Sequence, residues 1–255
     1  MTLHSNIIGE GKPFLILHGF LGSGDNWKTF GRALADKGIE VHLVDARNHG
    51  RSFHHDNFNY ELMAADLHSY AAQHSIDNFI LLGHSMGGKT SMLFSTLFPE
   101  MVEKLIVADI APRYYPIHHD QILAGLNKLD QIKLTSRSEA DEILASYIAE
   151  FGVRQFLLKN LYWNEDKQLK LRLNLQVLTE KVEEVGESLP PEAIYSKPTL
   201  FLKGEYSEYI SQTDEADIKR HFPDSKIVEI PGAGHWLHAE KPEEFFEQVL
   251  KFVSN

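Results

Sequence analysis

A serine held between glycines where a strand gives way to a helix constrains this chain more than any other feature of its sequence. Residues 79–82 are a short apolar run of strand character, Gly83-His84-Ser85-Met86-Gly87-Gly88 follows at once, and residues 89–97 have helical character up to a stop near Pro99. The Gly-x-Ser-x-Gly pattern alone also fits an ordinary turn serine; its position between strand and helix is what gives it weight. A serine hydroxyl used as a nucleophile must stand clear of the backbone, which demands a sharp turn whose flanking positions carry no side chain. The helix that follows offers free N–H groups and the positive end of its dipole beside Ser85, both suited to negative charge forming there.

Around this turn, strand and helix alternate. Strands are predicted over 3–8 and 14–17, read as a hairpin across the turn 9–13, and then over 41–44, 79–82, 105–108, 199–202 and 226–230; helices are predicted over 27–37, 60–74, 89–97, 214–221 and 242–253. Short apolar strands separated by helices imply an α/β fold with a mostly parallel central sheet covered by helices on both faces. Between 112 and 197 the alternation lapses into mostly helical sequence, with helices expected over 121–129, 138–151 and 177–185. The expected organisation is therefore one core, 1–111 and 198–255, with a helical cap, 112–197, inserted before the penultimate strand. The cap carries Tyr114, Tyr115, Phe156, Leu157, Leu158, Tyr162 and Trp163. Packing within the cap itself is the ordinary role for each; Tyr114, Phe156, Leu157 and, in the core, Trp236 are the residues expected to contact substrate.

Composition removes several function classes. A formal net charge of -11 opposes a phosphate backbone, and no local basic patch is visible, so no nucleic-acid partner is expected. The absence of cysteine excludes disulfides, thiolate metal sites and a cysteine nucleophile. Fourteen histidines raise the question of metal, with His54-His55, His118-His119 and the His235/His238 pair as candidates, but no His-Glu-x-x-His or carboxylate-rich cluster accompanies them, and neither metal nor cofactor is expected. There is no signal-peptide pattern and no run of eighteen apolar residues, so the expectation is a soluble cytoplasmic protein without a membrane partner. Oligomeric state is not readable.

Three further segments supply candidate chemistry. His18-Gly19-Phe20-Leu21-Gly22-Ser23 ends a core strand, where a turn can offer a backbone donor to an oxyanion; Phe20 and Met86 are the candidate donors, and His18 is expected to be structural. His235, in the small-residue loop Pro231-Gly232-Ala233-Gly234 after the last strand, is the candidate general base, whereas His238 lies on the way into the last helix. The orienting acid is less direct. Aspartate is common three residues after the glycine that ends the penultimate strand, and here Gly204 is followed by Ser207 in that place. Asp109, at the end of the strand after the nucleophile's helix, is the preferred acid; Glu205 and Glu208 remain alternatives. In Asp45-Ala46-Arg47-Asn48-His49-Gly50, Asp45 and Arg47 are expected to form a structural ion pair.

Taken together, the turns at 18–23, 45–50, 83–89 and 109–112, the stretch Gln155-Phe156-Leu157-Leu158, and Gly234-His235-Trp236 through His238-Ala239-Glu240-Lys241-Pro242 resemble the YbfF-type bacterial esterases, relatives of the abhydrolase-domain type-11 proteins. The resemblance spans nearly the whole chain. It implies the α/β-hydrolase fold with a helical cap, an acyl-ester hydrolase acting on small-molecule esters of short to medium acyl chains, acyl-CoA thioesters as a further class, and the acid at Asp109. A triad-based lyase without an acyl-enzyme and a non-enzymatic small-ligand receptor are the alternatives on the same fold.

Overall fold

The computed structural model describes residues 1–254. In chain order the elements are β1 (Ser5–Ile8), β2 (Lys12–Leu17), α1 (Lys28–Ala35), β3 (Ile39–Val44), α2 (Tyr60–Gln73), β4 (Phe79–His84), α3 (Met86–Leu97) and β5 (Val102–Ala108). Then come α4 (Asp120–Asp130), α5 (Arg137–Ala145), α6 (Phe151–Leu158), β6 (Leu161–Trp163), β7 (Leu169–Leu171) and α7 (Leu175–Glu180). The chain closes with β8 (Thr199–Gly204), α8 (Glu215–His221), β9 (Ser225–Ile230), α9 (Leu237–Glu240) and α10 (Pro242–Ser254). Seven strands form one sheet in the order β1-β3-β2-β4-β5-β8-β9, parallel throughout except for β1, which runs antiparallel to β3.

Alternation within each strand divides the apolar residues between two layers. Leu15, Leu17, Leu81, Leu105 and Phe201 pack on one face with Leu67 and Tyr70 of α2 and Met92 and Phe94 of α3. Phe14, Ile16, Leu82, Ile106 and Leu202 pack on the other with Phe30 and Leu34 of α1 and Phe245 and Val249 of α10. Every residue of β4 is buried, which is why it reads as a continuous apolar run. The helices start where side chains can take their orphan N–H groups: Asn59 accepts from Leu62 N at 2.9 Å, and Ser136 from Glu139 N at 3.1 Å.

Two expectations are corrected. β1 and β2 form no hairpin, because β3 lies between them. Their connection crosses the incoming end of β3 so closely that a Cβ on Gly11 (φ 125°) would stand 2.2 Å from the Gly38 carbonyl oxygen. The expected helix 138–151 is two helices. Ser146 and Tyr147 N–H bond three residues back, to Ile143 and Leu144, closing α5 in a tight turn, and Glu150 in extended conformation restarts the chain as α6. Residues between β5 and β8 also include an antiparallel pair, β6 and β7, that periodicity did not disclose.

Lys89, one turn into α3, is 1% exposed and donates to the carbonyls of Pro112, Arg113 and Glu187, joining the outgoing and returning ends of the segment between β5 and β8. Among the described residues no helix is long and apolar enough to cross a membrane.

Candidate active site

Strand order brings the candidate residues to one edge. β2 and β4 are neighbours at the point where the connections change direction, so the turn after β2 and the turn after β4 meet at their carboxyl ends, where open α/β sheets bind ligands. Register completes the grouping: His84 pairs with Ala108, so Ser85 and Asp109 are the first residues past the ends of adjacent strands. Ser85 has φ 53°, Asp109 φ 53° and Leu21 φ 59°, all in the left-handed region that non-glycine residues avoid. Strain of this kind persists only where surrounding structure enforces it. At Ser85 the enforcement is visible: a Cβ on Gly83 would lie 2.1 Å from the Gly87 carbonyl oxygen, and one on Gly87 2.4 Å from that of Leu17.

Asp109 is fully buried, with Oδ1 accepting from Gly204 N at 3.0 Å. Oδ2 accepts from His235 Nδ1 at 2.8 Å and also from the Ser207 hydroxyl. The serine found where an acid is common thus donates to the acid on the neighbouring strand. Of the alternatives, the Glu205 carboxylate accepts from Gly232 N at 2.6 Å, and Glu208 presents its backbone carbonyl to Arg113. The His235 ring is stacked on Tyr209, centroids 4.0 Å apart, and Tyr209 hydrogen-bonds His118 at 2.8 Å.

The turn after β2 is closed by Gly22 N–H donating to the Gly19 carbonyl at 3.0 Å, which directs the N–H groups of Phe20 and Leu21 outward. Leu21 donates to His49 Nε2 at 3.2 Å, so the donor this turn can offer a ligand is Phe20. Met86 is the first residue of α3, where N–H groups lack intrahelical partners. Two neutral histidines brace the turn. His18 Nε2 accepts from Ala46 N at 3.0 Å and its Nδ1–H donates to Gly19 O at 2.8 Å; His49 Nδ1–H donates to Arg47 O at 2.8 Å. Burial, reinforced by His18, pushes His49 down to about 3, and burial pushes His238 to about 3.

A proton-linked stability follows. Once unfolded, His49 titrates near 6.5, so between that pH and about 3 the unfolded chain binds more protons than the folded one. The contribution of His49 should be level above pH 7 and decline as pH falls through this window, reaching about 2 kcal/mol of loss at pH 5. Urea titrations at pH 7.5 and pH 5 measure it; equal stabilities would refute it.

Ser85, His235, Phe20, Trp236, Phe156 and Leu157 share the wall of a mainly apolar cavity of about 420 Å³. Tyr114 is absent from that wall: it is 52% exposed, while its neighbour Tyr115 turns inward and donates to the Tyr209 carbonyl. Of the two neighbours, the buried one is Tyr115. The expected Asp45–Arg47 pair is also corrected. Arg47 makes a two-pronged pair with Asp66 of α2 at 2.6 and 2.8 Å, and Asp45 accepts from Gly24 N at 2.7 Å and Arg51 N at 2.8 Å.

Sequence reasoning missed His84. Its Nε2–H donates to the backbone carbonyl of His235 at 2.8 Å, so the elbow itself holds the loop that carries the candidate base. The residue stood inside the quoted motif; only its partner, 151 positions away, was invisible. His84→Ala should lower kcat for ester hydrolysis by about 10- to 100-fold with KM within a few-fold, because misplacing a reacting group by an ångström costs rate and little binding. Steady-state kinetics test this; an effect confined to KM would remove His84 from this role.

Comparison with known proteins agrees with this architecture. A family model for the alpha/beta hydrolase fold matches residues 12–131. The chain is 39% identical over 252 residues to the sn-1-specific diacylglycerol lipase ABHD11 of Xenopus laevis, covering 96% of this chain and 80% of that protein. It is 34% identical over 246 residues to esterase YbfF of Escherichia coli, covering 95% and 93%. The solved structure of a marine microorganism esterase superposes with a TM-score of 0.95 at 42% identity, covering 98% of this chain and 99% of that one. The chain therefore belongs to the α/β-hydrolase family that contains the YbfF esterase and the ABHD11 proteins, and it is a carboxylic-ester hydrolase.

Proposed function

We propose that the protein hydrolyses short to medium acyl esters through an acyl-enzyme on Ser85. The observation that carries this reading is the 2.8 Å hydrogen bond that ties His235, on the wall of the cavity that Ser85 also lines, to buried Asp109. Ser85 Oγ attacks the acyl carbonyl while His235 Nε2 takes its proton; Asp109 holds Nδ1–H and stabilises the imidazolium that forms. The carbonyl oxygen, now negative, is held by the N–H groups of Phe20 and Met86. His235 then protonates the departing alcohol, and a water activated by the same ring releases the acid. Residues 112–197 act as a cap over this cavity, with Phe156 and Leu157 meeting the acyl chain and Trp236 facing them from the core; Phe156 and Trp236 have ring centroids 5.8 Å apart. Acyl thioesters suit the same chemistry, since a thiolate leaves more readily than an alkoxide.

The test pairs a fluorophosphonate probe with p-nitrophenyl esters of increasing chain length. Labelling of Ser85 and a burst of p-nitrophenol equal to the enzyme concentration are expected. Failure of both would exclude the acyl-enzyme and leave ester hydrolysis by direct attack of a base-activated water.

A further inference from the structure

His235 is fixed at three places. Asp109 takes its Nδ1–H, His84 donates to its backbone carbonyl, and the Tyr209 ring lies over the imidazole, 4.0 Å between centroids and 20° between planes. The first two contacts leave one motion free: a ring held at Nδ1 and by its main chain can still tip about the contact with Asp109, which carries Nε2 away from the nucleophile. A flat surface against the face of the imidazole stops that tipping. Trp236 meets the ring steeply, at 63° and 5.7 Å, so the surface is Tyr209.

Tyr209 is itself held by both its main chain and its ring. Its N–H donates to Ser207 Oγ at 3.3 Å, the hydroxyl that also serves Asp109. Its carbonyl accepts from the Tyr115 hydroxyl, which in turn accepts from Ala111 N at 2.8 Å. The Arg113 guanidinium covers the Tyr115 ring at 3.9 Å and is anchored to Asp214 at 2.8 Å. At the other end, the Tyr209 hydroxyl donates to His118 Nε2 at 2.8 Å, because His118 Nδ1–H is donated to the Pro116 carbonyl at 3.1 Å. Tyr115 and His118 both belong to the segment between β5 and β8. Burial, with the Asp109 charge, pushes the Tyr209 hydroxyl up to about 12, so the face turned to His235 is that of a neutral, electron-rich ring, which attracts a cation.

We propose that Tyr209 is a positioning residue for His235. Its ring keeps the imidazole aligned with Asp109 and stabilises the imidazolium formed while Ser85 is acylated, and its bonds to Tyr115 and His118 make that support depend on how the segment between β5 and β8 is seated. The proposal rests on the reading of His235 as the base. The other titratable groups near the His235 ring are His84, with centroids 4.7 Å apart, His238 and His119; burial pushes all three down, so loss of Tyr209 uncovers no second charge.

Steady-state hydrolysis of a p-nitrophenyl ester tests both layers. His235→Ala should lower kcat/KM by about 10³-fold or more; near-normal turnover would remove the base and this proposal with it. Given that loss, Tyr209→Leu should lower kcat by about 10- to 100-fold. The acid limb of its pH profile of kcat/KM should also move to lower pH, because the imidazolium has lost its aromatic face. Mere exposure of the ring to water would move that limb the other way. Tyr209→Phe, which keeps the ring, should return the limb to its wild-type place and kcat to within about threefold. Tyr209→Phe and His118→Ala remove the two ends of one hydrogen bond, so the pair should cost no more than the larger single effect of about threefold; this cycle serves if the leucine variant, judged by its melting temperature, does not fold. A folded Tyr209→Leu variant with kcat within about twofold of wild type, an acid limb unmoved or raised, or additive effects in the cycle would overturn the proposal.

Discussion

Ser85→Gly should lower kcat/KM for a p-nitrophenyl ester by about 10⁵- to 10⁶-fold, the loss typical of removing a triad nucleophile, and should raise the melting temperature at the same time. Ser85 is held at φ 53° and ψ -118°. A non-glycine residue in such a region costs about 1–3 kcal/mol, which glycine avoids at some cost in unfolded-chain entropy. A net gain of about 1 kcal/mol corresponds to about 2–4 °C in a chain of this size. Opposite signs for activity and stability separate a nucleophile from a turn serine: a turn residue would gain the stability and keep the activity. Activity within tenfold of wild type would place the nucleophile elsewhere, and a lowered melting temperature would remove the strain from the account.

What the sequence discloses and what it hides divide along locality. The elbow is legible because its demands are met within a few residues: Gly83 and Gly87 are needed where Ser85 turns, and they stand beside it. Parallel strands are legible because burial on both faces leaves a continuous apolar run. Partners far apart in the chain are not legible. β1 and β2 read as a hairpin from the turn between them, but β3, formed later, takes the intervening place. Arg47 reads as the partner of nearby Asp45, yet reaches Asp66 on α2. Asp109 is the intermediate case. The serine at position 207, where aspartate is common, is legible in the sequence, but the hydrogen bond between Ser207 and Asp109 appears only once β5 and β8 are side by side.

Asp109→Asn should reduce kcat/KM by about 10³- to 10⁴-fold while the protein remains folded. The size of the effect follows from which atoms Asp109 serves. Its Oδ1 faces a backbone N–H, that of Gly204, which can only donate. An asparagine must keep its oxygen there, which turns its NH₂ toward His235 Nδ1 and Ser207. The serine hydroxyl can rotate to accept; the imidazole must present a lone pair at Nδ1 and so carries its proton on Nε2, where it cannot take one from Ser85. Near-normal turnover would return the acid to Glu205 or Glu208. The double variant Asp109→Asn/Ser207→Asp restores a carboxylate beside the same Nδ1, at the position three residues past Gly204, and should recover about 10- to 100-fold of the lost rate. The gain falls short of complete because the introduced amide still competes for the ring. Recovery in a folded double variant would establish that His235 requires a carboxylate at Nδ1 and is indifferent to which strand supplies it. No recovery would show that the buried, backbone-anchored geometry of Asp109 is itself part of the requirement.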